Sequence, residues 1–195
     1  MGVDFSAIFD VSFDWADLPG VPARLDEVTP ALAAIWSESR SGQPPWSLHL
    51  REWSYYVAGP YVEEDEQDEL SCRLCPGLDG PMHFHVVPHR GFATTHNPAR
   101  WKFFLQQVDD RRDQLRRSCR VIGAALGARR VMYVPDLALE DMAEHRLYDE
   151  PYETVVAHFR GAWGGPSDFG ETYPIGERYW ERYFVELIDG SSPAQ

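Results

Sequence analysis

The fold class is decided by the opening stretch Val3-Asp4-Phe5-Ser6-Ala7-Ile8-Phe9-Asp10-Val11-Ser12-Phe13. Its odd-numbered positions are all apolar, and its even-numbered positions are polar except at Ile8. Because successive side chains of a strand point to opposite faces, this alternation predicts a half-buried strand. The apolar face of such a strand must be covered by another layer of structure.

The first candidate cover is a helix that begins at Thr29-Pro30. Threonine is a common helix cap, and proline is favoured at the first helical position. Leu32, Ile35 and Trp36 recur at helical spacing and would form the buried stripe of this helix. Residues 39–45 are typical of a loop, and strand composition returns over 46–57.

Further elements follow in the second half of the chain. Residues 82–87 predict a strand, and Asn97-Pro98 repeat the cap-plus-proline signal at the start of a long helix over 98–126. Residues 131–134 predict a short buried strand, after which Asp136 caps another helix. A helix over 152–163, ended by Gly164-Gly165-Pro166, and a strand over 179–188 complete the set.

These elements amount to about five strands and three or four helices, and the strand connections are too irregular for a doubly wound parallel sheet. The sequence therefore predicts a single α+β domain over 1–195 with a mostly antiparallel sheet. No stretch approaches the roughly 18 apolar residues of a membrane span, and no export signal is evident at the start. We expect a protein of the cytoplasm without a membrane partner, with reduced cysteines.

Charge is distributed unevenly along the chain. The formal net charge is −13; residues 1–80 hold 15 acids and 4 bases, residues 81–130 hold 3 and 10, and residues 131–195 hold 13 and 4. The basic segment centres on a helical arginine cluster, whose members are Arg111, Arg112, Arg116, Arg117 and Arg120. Asp109 and Asp113 are spaced to pair with this cluster, and the total charge opposes phosphate contacts. A nucleic-acid partner is therefore not expected.

The densest group of reactive side chains is a Cys-x-x-Cys motif at Cys72 and Cys75, followed after seven intervening residues by a His-x-His motif at His83 and His85. A turn between the cysteines would bring two thiolates to one ion, and alternate histidines on a strand share a face. These four residues are candidate zinc ligands. The alternative is two free cysteines in a turn and two histidines on a half-exposed strand.

The run His83-Phe84-His85-Val86-Val87-Pro88 also resembles the end of the signature of histidine triad hydrolases and transferases. Pro81 stands where that family has its first histidine. The resemblance implies that His83 and His85 are catalytic, one as nucleophile toward a nucleotide α-phosphate and the other as its positioning group. His89 and His96 would then be available as acid–base groups near neutral pH.

A second candidate surface combines acids with aromatic residues. Opposite charge on a basic partner would raise the association rate, and aromatic rings would anchor it. A solvated loop is the alternative interpretation of the acidic run. The candidate partner-binding residues are Trp53, Tyr55, Tyr56, Tyr61, Glu63, Glu64, Asp65, Glu66, Asp68 and Glu69.

In its small size, acidic charge and lack of a complete catalytic motif, the chain resembles bacterial immunity proteins that neutralise polymorphic toxins. The resemblance is carried by Tyr133-Val134-Pro135-Asp136 after the long helix, by Trp163 with Gly164-Gly165-Pro166, and by a closing aromatic strand. It implies a non-catalytic inhibitor that binds a cognate, basic toxin without a cofactor. The alternative is a zinc-dependent or histidine-dependent enzyme centred on Cys72, Cys75, His83 and His85.

Overall fold

The computed structural model describes residues 3–13, 20–37, 50–57, 72–78, 84–89, 91–108, 110–176 and 178–188. Over 50–57 and 72–78, and at positions 22, 37, 85 and 149, the description is of the backbone. The strands are β1 (Asp4–Phe9), β2 (Leu50–Val57), β3 (Cys72–Leu78), β4 (His85–Pro88), β5 (Ala93–Arg100), β6 (Arg130–Pro135) and β7 (Phe184–Leu187). The helices are α1 (Val21–Ser37), α2 (Trp101–Gln106), α3 (Arg111–Leu126), α4 (Leu137–Glu144) and α5 (Tyr152–Trp163), with a 3-10 turn at Leu147–Asp149.

The strands form one antiparallel sheet in the order β2-β3-β4-β5-β1-β6-β7. β1 lies between β5 and β6, so that Ala7 is opposite both Thr95 and Tyr133. The predicted α+β class is confirmed. The sequence indicated about five strands, whereas the structure describes seven, because neither β3 nor β5 has the alternating pattern of a strand with one buried face.

β1 is buried on both faces rather than on one. Phe5, Ala7 and Phe9 join a cluster of apolar side chains that includes residues of α1, α2 and α3. Ile8 lies in a second cluster with side chains of α4 and α5. The single break in the alternation of the opening stretch is therefore the residue that faces the second helical layer, and the prediction of a half-buried strand was wrong on this point.

The prediction that α1 begins at Thr29-Pro30 was also wrong. The helix begins eight residues earlier at Val21 and contains Pro30. Val21, Leu25 and Leu32 are fully buried, so the apolar stripe runs continuously past the proline. The hydroxyl of Thr29 does not cap the helix but donates to the carbonyl of Leu25 at 3.1 Å, one turn back.

The predicted long helix over 98–126 is two helices, and Asn97-Pro98 lie inside β5. The side chain of Asn97 does accept a hydrogen bond from the amide of Ala99 at 2.9 Å, as a helix cap would. The strand nevertheless continues to Arg100 because β1 pairs with it over this length. α2 then ends at Gln106, the next residue Gln107 is left-handed with a φ of 53°, and α3 begins at Arg111.

The elements after α3 agree closely with the sequence. β6 spans the predicted buried strand, and α5 has the predicted bounds. Asp136 caps α4, since its carboxylate accepts from the amide of Leu137 at 3.0 Å, and Gly164 ends α5 with a φ of 87°. β7 is shorter than predicted, and Leu187 at its end is 68% exposed.

Among the described residues, no helix has both the length and the apolar character needed to cross a bilayer.

Candidate functional site

The acidic–aromatic surface lies largely outside the described residues. Tyr61 and the acids Glu63, Glu64, Asp65, Glu66, Asp68 and Glu69 are among the undescribed positions. Trp53, Tyr55 and Tyr56 fall in β2, whose backbone alone is described. The predicted loop over 39–45 is outside the described residues as well. This candidate surface therefore stays a prediction.

The Cys-x-x-Cys motif does not form a turn. Cys72 and Cys75 both lie in β3, which pairs with β2 over most of its length, and His83 is outside the described residues. His85 begins β4, one residue after the described Phe84, and the predicted strand over 82–87 is shifted accordingly. The proline and glycine that follow the second cysteine favour a turn, but the pairing of β3 with β2 keeps this segment extended.

Strand pairing nevertheless places β3 beside β4 and aligns His85 with a further histidine in the sheet. Leu74 of β3 is opposite Val86 of β4, and His85 of β4 is opposite His96 of β5. His96 is in turn opposite Ser6 of β1, and its Nδ1 lies 3.3 Å from the Ser6 hydroxyl. The register therefore aligns two histidines across adjacent strands.

His89 is not an acid–base group near neutral pH, contrary to the prediction. Its ring packs against the rings of Phe92 and Tyr148, with both centroids 4.8 Å away, and its Nε2 is 3.2 Å from the Thr94 hydroxyl. Burial lowers the pKa of His89 to about 4, because the imidazolium would lose its hydration there. His89 is therefore neutral at pH 7 and contributes packing.

The arginine cluster of α3 contains one interior residue. Arg112 is 3% exposed, and its guanidinium donates to four carbonyl oxygens, those of Phe104, Leu105, Phe169 and Glu171. Asp109, the predicted partner of Arg112, lies outside the described residues. Arg112 joins the end of α2 to the segment before β7.

Arg116 is also held by specific contacts. Its guanidinium makes two hydrogen bonds with Glu186 of β7, at 2.7 and 3.2 Å, and lies 4.0 Å from the ring centroid of Phe169. Glu186 also accepts from the hydroxyl of Tyr133 at 2.6 Å. The predicted pair with Asp113 is present at 3.8 Å. A cavity of about 580 Å³ lies beside this ion pair. Its lining residues are Ile35, Asp110, Asp113, Gln114, Arg116, Arg117, Arg120 and Glu186.

Cys119 of α3 is a core residue. It is completely buried in the first apolar cluster, and burial raises the pKa of its thiol. A neutral buried thiol behaves as a small apolar side chain.

A cluster of polar side chains that the sequence analysis did not single out joins α4 to α5. Asp141 and His145 are one helical turn apart at the end of α4, and His158 faces them from α5. Nε2 of His158 is 2.5 Å from Oδ2 of Asp141, and Nδ1 of His145 is 3.6 Å from Oδ1 of the same carboxylate. The two imidazole centroids are 4.6 Å apart.

The surroundings of this cluster are acidic. Between positions 136 and 163 seven acids stand against two arginines, so the α4–α5 surface carries a net negative charge. Glu140 and Glu144 are exposed on α4, and Glu150 is exposed just before α5. None of these three makes an ion pair with another residue in the described part of the chain. We call Glu140, Glu144 and Glu150 the acidic triad of this surface.

The sequence contained one signal for the histidine cluster. Asp141 and His145 have the i, i+4 spacing that places two side chains on one helical face. Nothing in the sequence brings His158 to them, because that contact depends on how α5 packs against α4.

Comparisons of the chain with protein-family models, with curated proteins and with solved structures give no match.

Proposed function

We propose that the protein is a non-catalytic binding protein of the immunity type, which neutralises a cognate, basic toxin in the cytoplasm. The observation that supports this proposal is the acidic α4–α5 surface, where the acidic triad is exposed and without ion pairs among the described residues. A basic partner would meet complementary charge there, which raises association rates and disfavours acidic competitors.

Three of the described histidine and arginine side chains are engaged in structural contacts. His89 is neutral and packs against two aromatic rings, and Arg112 donates to main-chain carbonyls inside the protein. Arg116 is paired with Glu186. These assignments favour a role in which the surface, rather than a reactive group, carries the function.

The experiment begins with the tagged full chain as bait in its source organism, and co-purifying proteins are identified by mass spectrometry. Each candidate partner is then expressed alone and together with this chain. We expect one stoichiometric partner that arrests growth alone and is harmless when co-expressed. If no co-purifying protein has a toxicity that this chain suppresses, the proposal is wrong.

Two variants with matched charge test the surface. The first replaces the acidic triad, as Glu140→Gln, Glu144→Gln and Glu150→Gln, and the second replaces exposed acids elsewhere, as Glu27→Gln, Asp110→Asn and Glu171→Gln. We expect the first to slow association with the toxin by about 10-fold at low salt, with a smaller effect in the second. Equal effects of the two variants would argue against the α4–α5 surface as the docking face.

A second candidate function is a zinc-dependent or histidine-dependent hydrolase or transferase that uses Cys72, Cys75, His83 and His85. It is favoured by one observation, the alignment of His85 with His96 across β4 and β5 beside β3. We expect such an enzyme to hydrolyse a nucleotide phosphate ester or anhydride and to lose that activity in His85→Ala, whereas an immunity protein tolerates the change. Cys119→Ala serves as the control for cysteine loss outside the motif.

A further inference from the structure

We propose that Asp141, His145 and His158 form a binding site for a first-row divalent transition-metal ion such as zinc. One ligand atom from each residue lies within 4.8 Å of the other two. This site is separate from the Cys72, Cys75, His83 and His85 motif, and it does not depend on the proposed function.

The backbone already holds the three groups together. Asp141 and His145 share one face of α4, and Nδ1 of His145 also lies 2.9 Å from the carbonyl oxygen of Asp141, which orients the ring along its own helix. His158 reaches the same carboxylate from α5. Because two helices supply the ligands, little chain ordering remains to be done when an ion binds.

The metal-free geometry requires a small local change. Nε2 of His158 and Oδ2 of Asp141 are 2.5 Å apart, so a hydrogen bond whose proton lies between them joins the two side chains. Zinc ligands lie about 2.0–2.2 Å from the ion, which in tetrahedral geometry separates two ligand atoms by about 3.3–3.6 Å. The ion would therefore take the place of the bridging proton and widen this contact by a side-chain movement alone.

The donor set selects the class of ion. Two imidazole nitrogens and one carboxylate oxygen suit zinc and its first-row neighbours, whereas magnesium and calcium prefer oxygen ligands throughout. The side chains are partly exposed, at 28% for Asp141, 53% for His145 and 21% for His158. Water, or a donor atom of a bound partner, can therefore complete the coordination.

The electrostatic setting also favours a cation. Glu140 and Glu144 flank the site on α4, and the surrounding acids outnumber the arginines Arg146 and Arg160. This field raises the local concentration of divalent ions. Since the ligands come from α4 and α5, the bound ion would link the two helices that cover the second face of the sheet.

The test uses the untagged full chain after chelator treatment, titrated with zinc chloride by calorimetry, with magnesium chloride as the comparison ion. We expect one zinc ion to bind at this site and magnesium not to bind. We also expect zinc to raise the melting temperature, because a ligand that binds only the folded state stabilises it. His145→Ala and Asp141→Asn are expected to weaken zinc binding by at least about 100-fold, since losing even an outer-shell partner costs 10- to 100-fold.

Control variants separate this site from other zinc-binding groups. His96→Ala and Cys75→Ser lie outside the cluster and are expected to leave the zinc isotherm of the site unchanged. His145 is the most exposed of the three ligands, so His145→Ala is the variant that folding should tolerate best, and circular dichroism checks this. An unchanged zinc isotherm in folded His145→Ala and Asp141→Asn overturns the proposal, as does zinc binding that Cys75→Ser alone removes.

Discussion

The charged guanidinium of Arg112 lies in the interior, where it takes the place of water as the hydrogen-bond donor to main-chain carbonyls. Phe104 and Leu105 present two of these carbonyls at the end of α2, and Phe169 and Glu171 present the other two. Burial lowers the pKa of Arg112, and the neighbouring Arg116 lowers it further, although a guanidinium stays charged at any ordinary pH. The planar fork of arginine, which lysine lacks, fits this set of acceptors.

We therefore expect Arg112→Lys to destabilise the fold by about 2–4 kcal/mol, because buried carbonyls would lose charged donors. Arg120→Lys, an exposed change on the same helix, should shift the free energy of unfolding by less than about 0.5 kcal/mol. Urea unfolding of the two variants measures the difference. Equal stabilities for Arg112→Lys and the native chain would show that the four hydrogen bonds contribute nothing net.

His89 gives stability a pH dependence. The pKa of His89 is lowered to about 4 in the folded state, against 6.5 for an unperturbed imidazole, so the unfolded chain binds a proton that the folded chain does not. Its contribution is therefore fully present above pH 6.5 and is lost as the pH falls from 6.5 toward 4. We expect a loss of about 2–3 kcal/mol over this window from His89 alone.

The variant His89→Gln isolates this contribution, because glutamine can hydrogen-bond with Thr94 but does not titrate. We expect the free energy of unfolding of the native chain to fall more steeply between pH 7 and pH 4.5 than that of His89→Gln. Denaturant unfolding at several pH values supplies the two slopes. Parallel slopes would mean that His89 is protonated in the folded protein as readily as in the unfolded one.

At the scale of elements, two glycines with different surroundings should respond in opposite ways to substitution by alanine. A Cβ atom on Gly91, before β5, would lie 2.5 Å from the carbonyl oxygen of Glu150 and 3.0 Å from the Cα of Pro151. Both are backbone atoms at the start of α5 and cannot move without shifting that helix. Gly161 lies within α5, and a Cβ there has no neighbour within 4 Å.

We expect Gly91→Ala to destabilise the protein by about 1–3 kcal/mol through overpacking. Gly161→Ala should stabilise it by about 0.5–1 kcal/mol, since alanine is the better helix former at an open position. Thermal unfolding of both variants, side by side, reports the two signs. A stabilising Gly91→Ala would mean that the turn before β5 and the start of α5 are not packed against each other.

The elements that the sequence predicted well are those whose signals are local. Asp136 accepts from the next amide, and Gly164 has a positive φ of 87°, so α4 and α5 have the predicted cap and end. The predictions failed where pairing with a strand distant in the sequence outweighed a local sequence signal. Asn97 and Pro98 signal a helix start, but pairing with β1 keeps them extended.

The histidine cluster was missed for the same reason. Its α4 members are spaced as helical neighbours in the sequence, but His158 reaches them only through the packing of α5. A single sequence does not show which side chains of two different elements will contact each other. The acidic character of the surface, by contrast, follows directly from composition.

For the molecule as a whole, β1 couples the two sides of the sheet. Phe9 contributes to the cluster with α1 to α3, and Ile8 contributes to the cluster with α4 and α5. We expect Phe9→Ala and Ile8→Ala each to cost about 2–5 kcal/mol and to shift one common unfolding transition. Tryptophan fluorescence and far-ultraviolet circular dichroism should then follow the same curve in each variant. Separate transitions for the two probes would mean that the two faces unfold independently.

The position of β1 in the sheet also bears on the order of events during synthesis. β1 leaves the ribosome well before its neighbours β5 and β6, which begin at Ala93 and Arg130. At a synthesis rate of about 5–20 residues per second, β1 remains without its neighbouring strands for several seconds, and its phenylalanines stay exposed during that time. Pairing over such long sequence separations is slow, so the nascent chain offers an apolar segment that chaperones can bind before the sheet closes.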